Sequence, residues 1–73
     1  METLEFRLRG EYVALCDLLK LAGIAGSGGQ GKAMIANGEV SVDGRPESRK
    51  TAKIRAGQTV ACLGQTVRVV ADA

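Results

Sequence analysis

Leu4, Phe6 and Leu8 alternate with Glu5, Arg7 and Arg9 near the head of the chain, the period-two pattern of a strand with one buried face. Gly10 interrupts it. The period then changes. Leu15, Leu18, Leu19 and Ala22 fall at i, i+3, i+4 and i+7, the apolar stripe of a short amphipathic helix. The stripe predicts a helix from about Tyr12 to Ala22, with Gly23 free to take the left-handed conformation that ends helices. Ser27 and Gln30 have the spacing of a capping box, in which each side chain satisfies a backbone N–H of the other. A second helix is expected from there through "GKAMIA", with Met34 and Ile35 facing inward and Asn37-Gly38 ending it. Each interior glycine costs such a helix about 1 kcal/mol relative to alanine, so something other than helix propensity must favour them.

Val40 and Val42 share one face of a short strand, and Asp43-Gly44 is a strong tight-turn pair. Pro46 lacks a backbone N–H, which argues against a regular hairpin partner and makes the following segment an irregular, exposed connection. Beyond Gly57, "TVACL" and "TVRVV" flank "GQ" as a final hairpin. The predicted order is strand, helix, helix, strand, basic loop, strand, strand. The fold class is α+β, with two short helices packed on one side of a small, mainly antiparallel sheet. At 73 residues, positions 1–73 read as one domain near the lower size limit for an independent core. No apolar run approaches the roughly 18 residues of a membrane helix, and the alternation in "METLEFRLRG" is not that of a signal peptide. The cytoplasm is the expected location.

Charge changes the picture. The net is +2, but residues 1–31 hold three basic and four acidic side chains, while residues 32–71 hold seven basic and three acidic ones. Five of those cations (Arg45, Arg49, Lys50, Lys53 and Arg55) fall in "RPESRKTAKIR" beside a single acid, Glu47. Such asymmetry points to a polyanionic partner. There is no histidine, and the two cysteines, Cys16 and Cys62, are isolated in apolar contexts. They read as small buried hydrophobes, and they cannot complete a tetrahedral metal site. No cofactor or metal is expected. With no histidine base and no paired carboxylates on one helix face, catalysis is not expected either.

The stretch "GSGGQGKA", residues 26–33, fits both a phosphate loop and a dinucleotide fingerprint. The phosphate loop requires Ser or Thr after its lysine to hold magnesium, and Ala33 stands there. Asp43 could mimic the ribose-binding acid of the dinucleotide fold, but both motifs should follow a strand, and "LCDLLKLA" reads as a helix. A third reading is that the glycines keep side chains away from a surface where a backbone or a phosphate must come close. Free N–H groups at a helix start, with Lys32 one turn in, attract anions without any nucleotide fold.

These residues match a known pattern. "LLKLAG", "SGGQGKAMIANGEVSVDG" and "ESRKTAKIRAGQTV" together resemble the RNA-binding domain named after small-subunit ribosomal protein four, the S-four domain. Leu18, Leu19, Ser27, Lys32, Ile35, Gly38, Val40, Val42, Asp43, Gly44, Arg49 and Lys50 carry the resemblance, which spans about residues 15–60. The "GGQ" and "ESRKTAK" details are most similar to the small standalone bacterial members, the YbcJ type. The resemblance implies RNA binding without catalysis, through the two-helix face and the adjacent loop. Gly28 and Gly29 stand where many members carry basic residues, Gly31 replaces the usual alanine, and Gln58 replaces a common aspartate. Weight therefore shifts to Lys32 and the loop.

The resulting RNA-binding set is Lys20, Ser27, Gly28, Gly29, Lys32, Arg45, Arg49, Lys50 and Lys53. With Phe6 and Tyr12 the only aromatics, and Phe6 expected in the core, no base-stacking platform is expected. The remaining tool is phosphate contact, which reads backbone shape and suits a structured RNA. Ribosomal or RNA-processing partners are compatible with this reading, and a monomer is the simpler expectation. An alternative class is a protein-interaction adapter, docking through an open sheet edge or holding an acidic partner on the basic loop.

Overall fold

The computed structural model describes residues 2–72; Met1 and Ala73, the ends of the predicted domain, lie outside the described residues. Nine elements follow in order: β1 (Glu2–Leu8), β2 (Val13–Ala14), α1 (Leu15–Leu21), α2 (Gly28–Ala36), β3 (Val40–Val42), β4 (Arg45–Pro46), β5 (Lys53–Ile54), β6 (Thr59–Cys62) and β7 (Gln65–Ala71). Five strands form one sheet in the order β1-β7-β6-β3-β4, and β2 pairs with β5 in a second, two-stranded piece. All pairs are antiparallel except β1 with β7, which run parallel in the register Leu4↔Val67 and Phe6↔Val69. The two-helix, mainly antiparallel α+β class expected from the pattern is the one observed.

The core follows from alternation. Val60 and Cys62 of β6, Val67 and Val69 of β7, and Val40 of β3 are buried, while Ala61 and Arg68 between them face solvent. Onto that face pack Leu15, Leu18 and Leu19 of α1 with Met34 and Ile35 of α2. Each such leucine stabilises the fold by about 1.5–3 kcal/mol through burial alone. No charged or polar side chain is buried among the described residues, so the charged chemistry lies at the surface.

Three expectations are corrected. The first helix begins at Leu15, not Tyr12, because Val13 and Ala14 are drawn into pairing with Ile54 and Lys53. Its N-cap, Ala14, has no capping side chain, and the orphan N–H groups of Leu15 and Cys16 instead donate to the carbonyls of Ala52 (2.9 Å) and Lys50 (3.1 Å). Pro46 does sit in a hairpin partner: Arg45 and Pro46 pair with Val42 and Ser41. Asp43 and Gly44 at φ 52° and 82° make the turn, and an edge strand of two residues tolerates the missing N–H. The last hairpin turns at Leu63-Gly64, φ 51° and 81°, one residue earlier than "GQ", so Cys62 pairs with Gln65.

The helices meet at Gly31. A Cβ built there would stand 2.9 Å from the carbonyl oxygen of Cys16, so α2 crosses α1 backbone to backbone. Gly29 is different, since its nearest neighbour would be the Ser27 hydroxyl at 3.9 Å. Overpacking costs about 1–3 kcal/mol and outweighs the gain in helix propensity of roughly 1 kcal/mol at Gly31. Gly31→Ala should therefore lower stability by about 1 kcal/mol in urea unfolding, whereas Gly29→Ala should raise it by about 0.4–1 kcal/mol. Equal effects at the two sites would contradict the close crossing.

Candidate nucleic-acid interface

At the start of α2 the Ser27 backbone is extended, and its hydroxyl accepts the Gln30 N–H at 3.1 Å. The return arm of the predicted box lands one residue further back: Gln30 Oε1 accepts the N–H of Gly26 at 2.6 Å. Gly31 N–H donates to the Ser27 carbonyl. Among the described residues this leaves the N–H groups of Gly28 and Gly29 without a protein acceptor, with Lys32 exposed one turn along. The element preceding this glycine stretch is α1, not a strand, which removes the context both nucleotide motifs require.

The basic loop is brought to this helix by one residue. Cys16 donates its N–H to the Lys50 carbonyl and presents its own carbonyl to Gly31. From there the pairing continues outward through Ala14↔Lys53 and Val13↔Ile54. A line of backbone contacts thus links Lys32, next to Gly31, through Lys50 to Lys53 and Arg55, and all four residues are exposed. Because Ile54 is buried, Lys53 and Arg55 on either side of it both face solvent.

The other predicted residues sit around this line. Arg45 lies on β4 at the outer edge of the sheet, exposed, and shares a shallow hollow with Glu47 and Arg49. Arg49 is not a free cation: its Nε and Nη2 donate to Glu47 at 3.2 and 3.1 Å, and its backbone N–H donates to the same carboxylate. These bonds hold the Glu47 carboxyl down at about 2, with the Arg49 side chain the largest cause. Lys20 stands apart in the last turn of α1, on an exposed face with Asp17 and Leu21 beside Val13. At the N-terminus of α1 the N–H groups of Leu15 and Cys16 are already taken by loop carbonyls.

Sequence reading missed Tyr12. The residue is 45% exposed, with Lys53 Nζ 5.0 Å and the Arg55 guanidinium carbon 6.0 Å from its ring centroid. The chain therefore does present an aromatic surface flanked by cations. The only local signal was the alternation Lys53-Ile54-Arg55; the rest depends on a pairing some forty residues distant, of the kind that lone residue patterns do not encode.

A family model for the S4 domain matches residues 6–70, nearly the whole chain. The chain belongs to the S4-domain family. Its relatives include YbcJ of Escherichia coli (strain K12), named as a candidate RNA-binding protein, which is 58% identical over 60 residues covering 82% of this chain and 86% of the relative. YbcJ of Shigella flexneri matches to the same extent. The solution structure of E. coli YbcJ superposes with a TM-score of 0.69 at 51% identity, covering 96% of this S4-domain chain and 87% of that one. That structure is described as revealing an ALFAL motif involved in RNA binding. The likeness of this S4 domain to YbcJ therefore extends through both helices and the loop between β4 and β5.

The Glu47–Arg49 pair gives a titration prediction. A carboxyl whose folded pKa is depressed contributes stability above its unfolded value and loses it as pH falls through the folded one. For Glu47 that window runs from 4.5 down to about 2. Carbon-detected NMR should show its carboxyl titrating at about 2, and Arg49→Ala should return it towards 4.5. An unchanged titration in the variant would mean that Arg49 does not hold the carboxylate.

Proposed function

We propose that this S4 domain is a non-catalytic RNA-binding module that grips the phosphate backbone of a structured RNA along the line running from α2 to β5. The observation that supports the reading is the Cys16 junction, whose N–H meets the Lys50 carbonyl and whose carbonyl lies against Gly31, on the same helix as the exposed Lys32 and the open N–H groups of Gly28 and Gly29. Helix-start N–H groups and lysines make charge-assisted hydrogen bonds to phosphate oxygens, and bare glycines let the backbone come close. Ser27 organises that first turn through its cap. Arg45 and Arg49 extend the contact past β4, with Arg49 exchanging part of its carboxylate pairing for phosphate, and Lys20 contributes weakly from its own face. Recognition is of backbone shape rather than base sequence. YbcJ of E. coli, named and described in terms of RNA binding, agrees with this reading. We further propose that the protein acts as a monomer in the cytoplasm, with ribosomal or RNA-processing partners.

Fluorescence polarisation with a structured RNA hairpin across a salt series tests the mechanism. Engagement of about five phosphates gives a log–log slope of roughly −3 to −5. Lys32→Glu/Lys50→Glu should bind more weakly at every salt concentration and flatten the slope by about 2, since each phosphate contact contributes about 1. ATP should not compete. A flat wild-type salt response would rule out phosphate contact, and capture of a stoichiometric acidic protein in place of RNA would favour the adapter class.

A further inference from the structure

The phosphate line ends at a feature that phosphate contact leaves unused. Between the end of β1 and α1 lies a hollow of about 340 Å³, walled by Phe6, Leu8, Val13 and Leu21, with Arg7 and Arg9 at its margin. Tyr12 forms one wall. Lys53 and Arg55, which lie over the same ring, are not part of the lining. Leu21 is 61% exposed and Tyr12 45%, an apolar pair that a solvated surface alone does not require. Arg9 is loosely held by Asp72 at 4.0 Å, both side chains being largely exposed.

We propose that this hollow seats one unpaired nucleobase of the bound RNA, stacked on Tyr12. The inference rests on the phosphate-binding reading above and adds a second recognition element to it. Three observations converge. The volume falls at the small end of the range for ligand pockets and suits a single flat ring system. An aromatic ring flanked by cations is the surface on which bases stack in single-stranded recognition, the ring taking the base and the cations its neighbouring phosphates. The hollow is also continuous with the proposed backbone track, because Tyr12 precedes β2 and Lys53 lies in β5, the pair that carries the line of cations outward. A strand leaving the line at Lys50 reaches Lys53 and Arg55 next, and a base turned inward there meets Tyr12. The RNA selected is then not a continuous duplex but one with a bulged or looped nucleotide beside a helical stem.

The test compares two RNA hairpins that differ in one base: one carries a single bulged adenosine, the other an abasic nucleotide at the same position, so the phosphates are identical. Wild-type protein should bind the adenosine hairpin at least about fivefold more tightly than the abasic one. Tyr12→Ala should abolish this preference, while Tyr12→Phe keeps most of it. Because Tyr12 is the only tyrosine in the chain, its ring protons offer a direct readout, shifting upfield with adenosine and not with the abasic hairpin. Equal wild-type affinity for the two hairpins would overturn the base pocket and leave the phosphate reading intact. Persistence of the preference in Tyr12→Ala would also overturn it. Failure to bind either hairpin at low salt would overturn both readings together.

Discussion

The surface of this protein hangs on the backbone of Cys16. Its N–H closes onto the Lys50 carbonyl, and its carbonyl lies against the bare Cα of Gly31. One residue in the first turn of α1 thereby fastens a basic loop on one side and a second helix on the other. The first helix has no capping side chain, so its orphan donors need acceptors from elsewhere, and the loop supplies them. Leaving such buried donors unmet would cost about 1–3 kcal/mol each, comparable to a sizeable part of the stability of a domain this small. The loop is therefore held by the helix's need for acceptors, while its lysine side chains remain free in solvent.

This arrangement accounts for the glycine run without a nucleotide fold. Gly31 is required by helix crossing, whereas Gly28 and Gly29 meet no close neighbour and keep the first turn of α2 bare. The three glycines thus serve two purposes within four residues. What resembles a nucleotide fingerprint is a packing glycine adjoining an open helix start.

How much of this was legible in the residues depends on the range of the interactions. The leucine stripe, the serine cap, the inward Met34 and Ile35, and the Asp43-Gly44 turn are all set by neighbours within four positions, and each is observed where the pattern put it. The elements that pattern reading missed are β2, β4 and β5, two residues each, too short for any periodicity. They exist because partners distant in the chain complete them. The site divides along the same boundary. The cations of the loop could be named from composition, but the pairing of Arg49 with Glu47 and the stacking of Lys53 on Tyr12 could not. The list of charges was legible; which of them are free, and what they stand beside, was not.

The parallel pairing of β1 with β7 has a consequence for how the chain comes into being. The first strand made is an edge strand whose sole neighbour in the sheet is the last strand made, register by register from Glu2↔Gln65 to Leu8↔Ala71. During synthesis β1 must therefore wait, unpaired, through the assembly of everything between. Its alternation of charged and apolar side chains suits that wait, because Glu5 and Arg7, with Arg9 just past its end, discourage a lone edge from pairing with another chain. Sheet closure is then a late, long-range event, governed by the loop entropy of the entire intervening chain. The helices and the basic loop lie wholly inside that loop, so the surface proposed to meet RNA is translated before the strand that completes the sheet beneath it.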